Sequence, residues 1–280
     1  MTGDEFAYLR RFLRKRSGLD LGADKQYLVE SRLAPLWRDA GLPSLQALVR
    51  RLIGAEHGPL GQAVVEAMAT HETMFFRDKA VFETLRSAVL PKLIAARSRT
   101  RRLRLWSAAA SSGQEAYSLA MMLADMAPAL AGWKVSILGT DLSAAAVERA
   151  RAATYSQFEV QRGLPIRMLL RHFTQGQAGW TASAELRAAV EFRTLNLLHD
   201  LGSLGTFDLV LCRNLLIYLD GPTRTRLLTG LAGRLAPDGV LLLGSAESAA
   251  GWCDALVPDP VARGFSVRRP GDVLPLKQAG

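Results

Sequence analysis

Residues 103–123 constrain the fold more tightly than any other part of this chain. The apolar run Leu103-Arg104-Leu105-Trp106 passes into the small residues Ser107-Ala108-Ala109-Ala110-Ser111-Ser112 and a single Gly113. It then turns directly into the helical pattern Tyr117-Ser118-Leu119-Ala120-Met121-Met122-Leu123. A strand, a small-residue turn and a helix in that order open a parallel α/β sheet. They also place backbone N–H groups at the sheet's carboxyl edge, where such sheets bind nucleotides. A second strand, Val135-Ser136-Ile137-Leu138-Gly139, ends at Thr140-Asp141, where a carboxylate can accept both hydroxyls of a ribose. The pair reads as an adenosine site.

The surrounding pattern agrees. Apolar runs predict strands over 103–108, 134–139, 190–194, 207–212 and 239–244, alternating with helices over 79–97, 114–126, 143–151 and 223–235, hence a mostly parallel sheet. Asp220-Gly221-Pro222 closes one segment, and Pro237-Asp238-Gly239 is expected to turn the last helix into the last strand. Gly176, Gly179 and Trp180 predict a small inserted hairpin over about 174–190. Ahead of the sheet, residues 1–72 show only helical spacing. Phe6, Leu9, Phe12 and Leu13 form one face, and Tyr27, Leu28, Leu33 and Leu36 another, with Ser44 as a helix N-cap. This smaller all-helical domain suits docking or a lid. The sheet domain is expected over 73–270, and residues 271–280 as a frayed tail.

Composition narrows the class. With 49% apolar and 22% charged residues the chain is globular, and no run approaches a membrane span. Met1-Thr2-Gly3-Asp4-Glu5 opens no secretory signal, and two cysteines and four histidines without ligand spacing argue against disulfides or a metal. A reducing cytoplasm fits. The net charge of +9 is concentrated in Arg86, Lys92, Arg97, Arg99, Arg101, Arg102 and Arg104. An acidic partner would explain that cluster, but basic residues at a helix end and loop before a buried strand explain it more simply.

Gly113 is the only glycine of its turn, so the three-glycine pyrophosphate fingerprint is missing, and there is no P-loop. A phosphate-free ligand such as S-adenosylmethionine needs less. Asp141 could cap the following helix, yet Ser143 can do so and leave Asp141 for the ligand. The strand 207–212 ends at Arg213-Asn214, where Asn214 offers donor and acceptor. Cys212 reads as a buried small residue and Tyr218 as a site residue or a core one. In Thr70-His71-Glu72-Thr73-Met74-Phe75-Phe76-Arg77-Asp78, two aromatics either cover a cleft or anchor a linker; composition leaves both open.

Taken together, Thr73-Met74-Phe75-Phe76-Arg77-Asp78, Trp106-Ser107-Ala108-Ala109, Gly113-Gln114-Glu115-Ala116-Tyr117-Ser118, Thr140-Asp141, Asn196-Leu197-Leu198, Cys212-Arg213-Asn214-Leu215-Leu216-Ile217-Tyr218-Leu219-Asp220 and Leu243-Gly244-Ser245-Ala246-Glu247-Ser248 resemble the CheR family of chemotaxis-receptor glutamate methyltransferases, in the family's order. The resemblance implies a Rossmann-like S-adenosylmethionine-dependent methyltransferase domain with a small N-terminal all-α domain and an inserted β-subdomain. It implies S-adenosyl-L-methionine as donor, S-adenosylhomocysteine as product, and glutamates on the cytoplasmic helices of methyl-accepting receptors as acceptors. Cofactor contacts would come from His71, Thr73, Arg77, Gln114 or Glu115, Asp141, Asn196, Leu197, Asn214 and Leu215, with Gly113 in the turn; Arg77 and Tyr218 would lie near the reacting centre. The enzyme would be cytoplasmic and recruited to membrane receptor arrays, with the helical domain and β-subdomain docking the receptor.

Where the family often has Cys-Ser-Thr-Gly-Glu-Glu-Pro, this chain has Ala110-Ser111-Ser112-Gly113-Gln114-Glu115-Ala116. Gln114 adds no charge toward the methionine ammonium, and Ala116 lacks proline's preset φ. The short hairpin argues against binding of a receptor's tethering peptide. A glutamate carboxylate, pKa about 4.3, is already ionised, so no general base is needed. Alignment of oxygen, methyl and sulfur in a dry site suffices. Two alternatives compete. A nucleic-acid methyltransferase is suggested by the basic charge, but an Asn/Asp-Pro-Pro-Tyr/Phe motif is missing at Arg213–Leu216. A non-catalytic cofactor-binding signalling module is opposed by intact Arg77, Asp141, Asn214 and Tyr218.

Overall fold

The computed structural model describes residues 1–260, 262 and 264–269; the tail expected over 271–280 lies outside the described residues. The described residues divide into two compact units, one of residues 1–70 with 218–223, the other of 71–217 with those from 224 onward.

The first unit is helical, with helices Gly3–Ser17, Gln26–Asp39, Leu45–Leu52 and Pro59–Met68. Thr2 and Glu5 form a reciprocal capping box at the first helix, and Gly18 ends it at φ 76°, a left-handed position that glycine takes without Cβ strain. Ser44 caps the third helix by accepting the Ala47 N–H at 3.2 Å. Leu9, Leu13, Val29, Leu33, Leu48, Leu52 and Met68 build its core. Tyr27, expected on the apolar face, is instead 63% exposed; Val29 and Leu33 carry that helix's buried side. The segment from Tyr218 joins this unit. Asp20 donates its N–H to the Tyr218 carbonyl at 2.8 Å, and Leu19 forms an antiparallel bridge to Leu219.

The second unit is α/β. Its strands are β1 (Arg102–Ala108), β2 (Lys134–Asp141), β3 (Thr154–Tyr155), β4 (Phe173–Gly176), β5 (Gly179–Ala182), β6 (Val190–Thr194), β7 (Phe207–Cys212), β8 (Leu235–Leu243), β9 (Leu256–Pro258) and β10 (Phe265–Arg268). Seven form one sheet in the order β6-β2-β1-β7-β8-β10-β9. The strands from β6 to β8 run parallel, and β10 and β9 add antiparallel. All the carboxyl ends of the parallel strands therefore share one edge, and β1 and β7 meet at its centre, with Ala108 opposite Cys212. β3, β5 and β4 form a separate three-stranded sheet.

The structure differs from expectation in four places. The stretch expected as a helix to 235 and a strand from 239 is a helix over Gly221–Ala232 and a nine-residue strand β8. Pro237-Asp238-Gly239 lies within that strand as a bulge: Phe207 pairs Leu235, and Leu209 pairs Val240. The hairpin expected over 174–190 spans only Phe173–Gly176 and Gly179–Ala182, and a helix Ala184–Ala188 leads into β6. Strands β9 and β10 were not expected; they are three and four residues long, and Pro258 sits in the edge strand β9, where no ladder donor is missed. The helix expected over 79–97 runs as Lys79–Thr84, a π-helical turn Leu85–Val89 and Leu90–Ala96.

Two members of the basic cluster have structural roles, while Arg86, Arg99, Arg101 and Arg102 are exposed. Arg97 binds Asp208 and Asp238, and Arg104 donates to the Thr206 and Leu204 carbonyls beneath its stack on Phe207. Among the described residues, no helix is long and apolar enough to cross a membrane.

Candidate active site

The turn after β1 is held by its own polar groups. Ala109, Ser111 and Gly113 alternate at positive φ, 61°, 51° and 93°. For the two non-glycines this is sparsely populated backbone that the surroundings must fix. Ala110 donates its N–H to the Thr140 carbonyl at 2.8 Å, and Gly113 donates to the Ala110 carbonyl at 2.9 Å. Ser111 donates its N–H to Asp141 Oδ2 at 2.8 Å. The Tyr155 hydroxyl donates to the Ser112 carbonyl at 2.8 Å, and burial pushes that phenol well above its ordinary pKa, so it stays a donor. The N–H groups expected to face a ligand are thus spent within the turn at Ala110, Ser111 and Gly113. This arrangement suits a ligand without phosphates.

The need for Gly113 has a different cause from ligand approach. A Cβ there would lie 3.0 Å from Ala150 Cβ and 3.1 Å from Phe192 Cζ, so close packing and the positive φ demand glycine. Gln114 is also redirected. It is buried, accepting from the Ser112 hydroxyl at 2.9 Å and reaching Glu159 at 3.4 Å. Glu115 instead accepts from Ser107 Oγ at 2.9 Å and from Arg213 Nη1 at 3.1 Å.

Asp141 ends β2 beside this turn, 7% exposed. Its Oδ1 accepts the Ser143 N–H at 3.0 Å, while Ser143 Oγ caps the next helix by accepting from Ala146. The cap and the carboxylate are therefore separate, as expected. Each Asp141 oxygen accepts one backbone N–H and keeps lone-pair capacity for a ligand hydroxyl. His71 Nδ1 lies 4.0 Å from Asp141 Oδ1, and Ser111 Oγ donates to the His71 carbonyl at 3.0 Å. Just after the neighbouring β6, Leu195 donates its N–H to the Asp141 carbonyl at 2.8 Å. Asn196 Oδ1 accepts the Leu198 N–H at 3.0 Å, which places Asn196 and half-buried Leu197 at the same edge.

The segment from His71 to Asp78 is a linker anchored in the core. Phe75 is fully buried against Tyr155 and Phe173, with ring centroids 5.1 and 5.6 Å away. Phe76 donates its N–H to Ser118 Oγ at 2.9 Å. Phe76 and Asp78 take φ 47° and 61°, so Arg77 is held between two left-handed residues. Its Nη1 donates to the Glu72 carbonyl at 3.1 Å, and Thr73 is half-buried.

After β7, Asn214 is at φ 58° and its N–H donates to Glu247 Oε2 at 2.8 Å. The same carboxylate accepts from the Gly244 N–H at 2.7 Å and the Ile217 N–H at 3.4 Å, fixing the loop that carries Asn214 and Leu215. Glu247, Arg213 and Ser107 were not expected as site residues; the motif around Glu247 was the available hint. Cys212 is fully buried, with its thiol pushed up by burial, and is no nucleophile. Tyr218 lies in the helical unit.

The residues present fit S-adenosylmethionine. Asp141 can take the ribose hydroxyls, Asn214 the adenine edge, and Glu115 an ammonium, while carboxylates at this edge oppose a polyphosphate.

Residues 71–255 match the family model "CheR methyltransferase, SAM binding domain", and residues 4–68 match "CheR methyltransferase, all-alpha domain". The chain belongs to the CheR methyltransferase family. It is 44% identical over 248 residues to chemotaxis protein methyltransferase 1 of Pseudomonas aeruginosa, covering 87% of this chain and 90% of that one. It is 40% identical over 258 residues to chemotaxis protein methyltransferase Cher2 of Pseudomonas putida, covering 90% and 94%. With chemotaxis protein methyltransferase 1 of Vibrio cholerae it shares 38% over 257 residues, 91% and 92% of the two chains. This CheR-family chain is an S-adenosylmethionine-dependent methyltransferase, a transferase of chemotaxis.

Proposed function

We propose that this enzyme methylates glutamate side-chain carboxylates on the cytoplasmic helices of methyl-accepting chemotaxis receptors, yielding glutamyl methyl esters and S-adenosylhomocysteine. The observation that carries the reading is Arg77, held between two left-handed residues, the second of which, Asp78, shares the Arg213 guanidinium with Glu115. A cation so placed suits an anionic acceptor, and an ionised carboxylate needs no base.

In this mechanism the bound cofactor supplies an electrophilic methyl on sulfonium. Asp141, Asn196, Leu197, Asn214 and Leu215 would hold its adenosine, and His71 and Thr73 would complete the cofactor contacts. Glu115, rather than buried Gln114, receives its ammonium. Arg77 orients the acceptor carboxylate, and Tyr218 fixes one of its oxygens for in-line attack. Charge is lost as oxygen and sulfonium react, so exclusion of water by the linker and receptor favours the transition state.

The helical unit serves docking in this reading, and the enzyme works in the cytoplasm at receptor arrays. The β4–β5 hairpin closes over Gln177-Ala178, with Gly176 paired to Gly179, which supports a receptor contact without a tethering peptide. The test is incubation of the enzyme with labelled S-adenosylmethionine and receptor cytoplasmic domains. Label released by mild base as methanol is expected; base-stable label, or label on nucleic acid only, refutes the acceptor assignment.

A further inference from the structure

We propose that Arg213 is a positioning residue for methyl transfer, holding Glu115 toward the cofactor and Asp78 in the strained turn that presents Arg77. The proposal rests on the methyl-transfer reading above. The Arg213 side chain, 2% exposed, follows the end of β7. Its Nη1 donates to Glu115 Oε2 at 3.1 Å, and its Nη2 donates to Asp78 Oδ2. Its Nε is buried with no hydrogen-bond partner.

That unmet N–H argues against a purely stabilising role. A buried guanidinium is costly, and an unsatisfied donor adds to the cost, so the net stability gained from this cluster is small. What the guanidinium supplies is geometry, because a planar fork can hold two carboxylates at fixed places. One carboxylate, Glu115, is also fixed by Ser107 Oγ at 2.9 Å, leaving it little freedom to turn from the sheet edge. The other, Asp78, stands at φ 61° directly after Arg77, with Phe76 at φ 47° before it. Left-handed backbone at Phe76 and Asp78 persists only when something holds it. On one side that is the Phe76 N–H bond to Ser118, and on the other it is Arg213. One side chain thus ties the start of the helix after β1 to the linker bearing Arg77, and Glu115 carries the tie on to Ser107. Two carboxylates on one guanidinium also leave the cluster negative, which suits a donor carrying sulfonium and ammonium.

The test is a pair of double-mutant cycles on the full chain. Calorimetric titration with S-adenosylhomocysteine and steady-state methylation of a receptor cytoplasmic domain are the readouts. Arg213→Lys keeps charge but loses the fork; it is expected to weaken product binding ~10-fold and lower kcat ~10-fold, with Tm within ~3 °C. In a Glu115→Gln background, Arg213→Lys should change affinity less than ~2-fold, and in Asp78→Asn it should change kcat less than ~2-fold. A merely structural arginine would cost the same in every background. Equal losses across backgrounds, or unchanged affinity and kcat in Arg213→Lys, overturn the proposal. So does failure of both Arg213→Lys and Arg213→Met to fold. An enzyme that binds the product but esterifies no receptor refutes the acceptor assignment alone, and the affinity cycle still decides Arg213.

Discussion

At each end of strand β7 an arginine stands between two carboxylates, and the two clusters are built to different ends. At its start, Asp208 receives Arg97 Nε at 2.7 Å and the Arg104 N–H at 2.8 Å, and Arg97 places both remaining nitrogens on Asp238. Every nitrogen of that fork is used. At its finish, Arg213 leaves Nε unbonded, and its partner Asp78 and its neighbour Asn214 are both at positive φ. The same three-residue chemistry is a tie at one end and a presented, strained arrangement at the other. The arginine with the unmet donor is the one at the carboxyl edge, where open α/β sheets bind their ligands.

The largest effect that sharpens this contrast is Arg77→Ala, which should lower kcat/KM for receptor methylation ~100-fold while Tm stays within ~2 °C. Normal methylation by Arg77→Ala together with Tyr218→Phe would remove both from the reacting centre. Next comes Arg97→Met, which leaves Asp208 and Asp238 without their cation. A loss of ~2–3 kcal/mol is expected in denaturant unfolding, with product affinity of the folded enzyme unchanged within ~2-fold. If product binding falls as much as stability does, the two ends are not separate. A smaller effect is expected of Ser107→Ala, which removes one donor to Glu115: ~3-fold weaker binding of S-adenosylhomocysteine by titration.

The smallest is a pH dependence. Arg97 beside Asp238 holds that carboxyl below the usual carboxylate range. The folded chain therefore binds this proton less readily than the unfolded chain. The resulting stability is present above the ordinary carboxylate pKa and is lost as pH falls through the depressed value. The Tm gap between the parent and Arg97→Met should accordingly narrow from about pH 6 to about pH 3. A gap that widens on acidification would contradict the pairing.

What was legible in the sequence is what local chemistry decides. The strand–turn–helix at Leu103 to Leu123, the Ser143 cap that frees Asp141, and buried Cys212 follow from periodicity, cap preference and burial tendency. The ordered motifs from Thr73 to Ser248 carried the family. What was not legible depends on partners distant in the chain. Arg213 meets Glu115 across 98 positions and Asp78 across 135, and no local pattern announces either. Gln114 and Glu115 are neighbours of similar size, and only the packing of Ser112 and Glu159 sends Gln114 inward. Pro237-Asp238-Gly239 has turn chemistry, yet pairing with β7 absorbs it as a bulge. Glu247 looked like part of a motif; its work is to accept three backbone N–H groups.

The carboxyl edge of this sheet, with Asp141 at its heart, is where the cofactor is expected to bind. Titration of S-adenosylhomocysteine into the parent, Asp141→Asn and Arg97→Met tests it most directly. The account predicts one saturable site in the parent, affinity reduced ~30-fold or more in Asp141→Asn, and affinity retained in folded Arg97→Met. Parent-like binding by Asp141→Asn, or an equal loss in folded Arg97→Met, would contradict it.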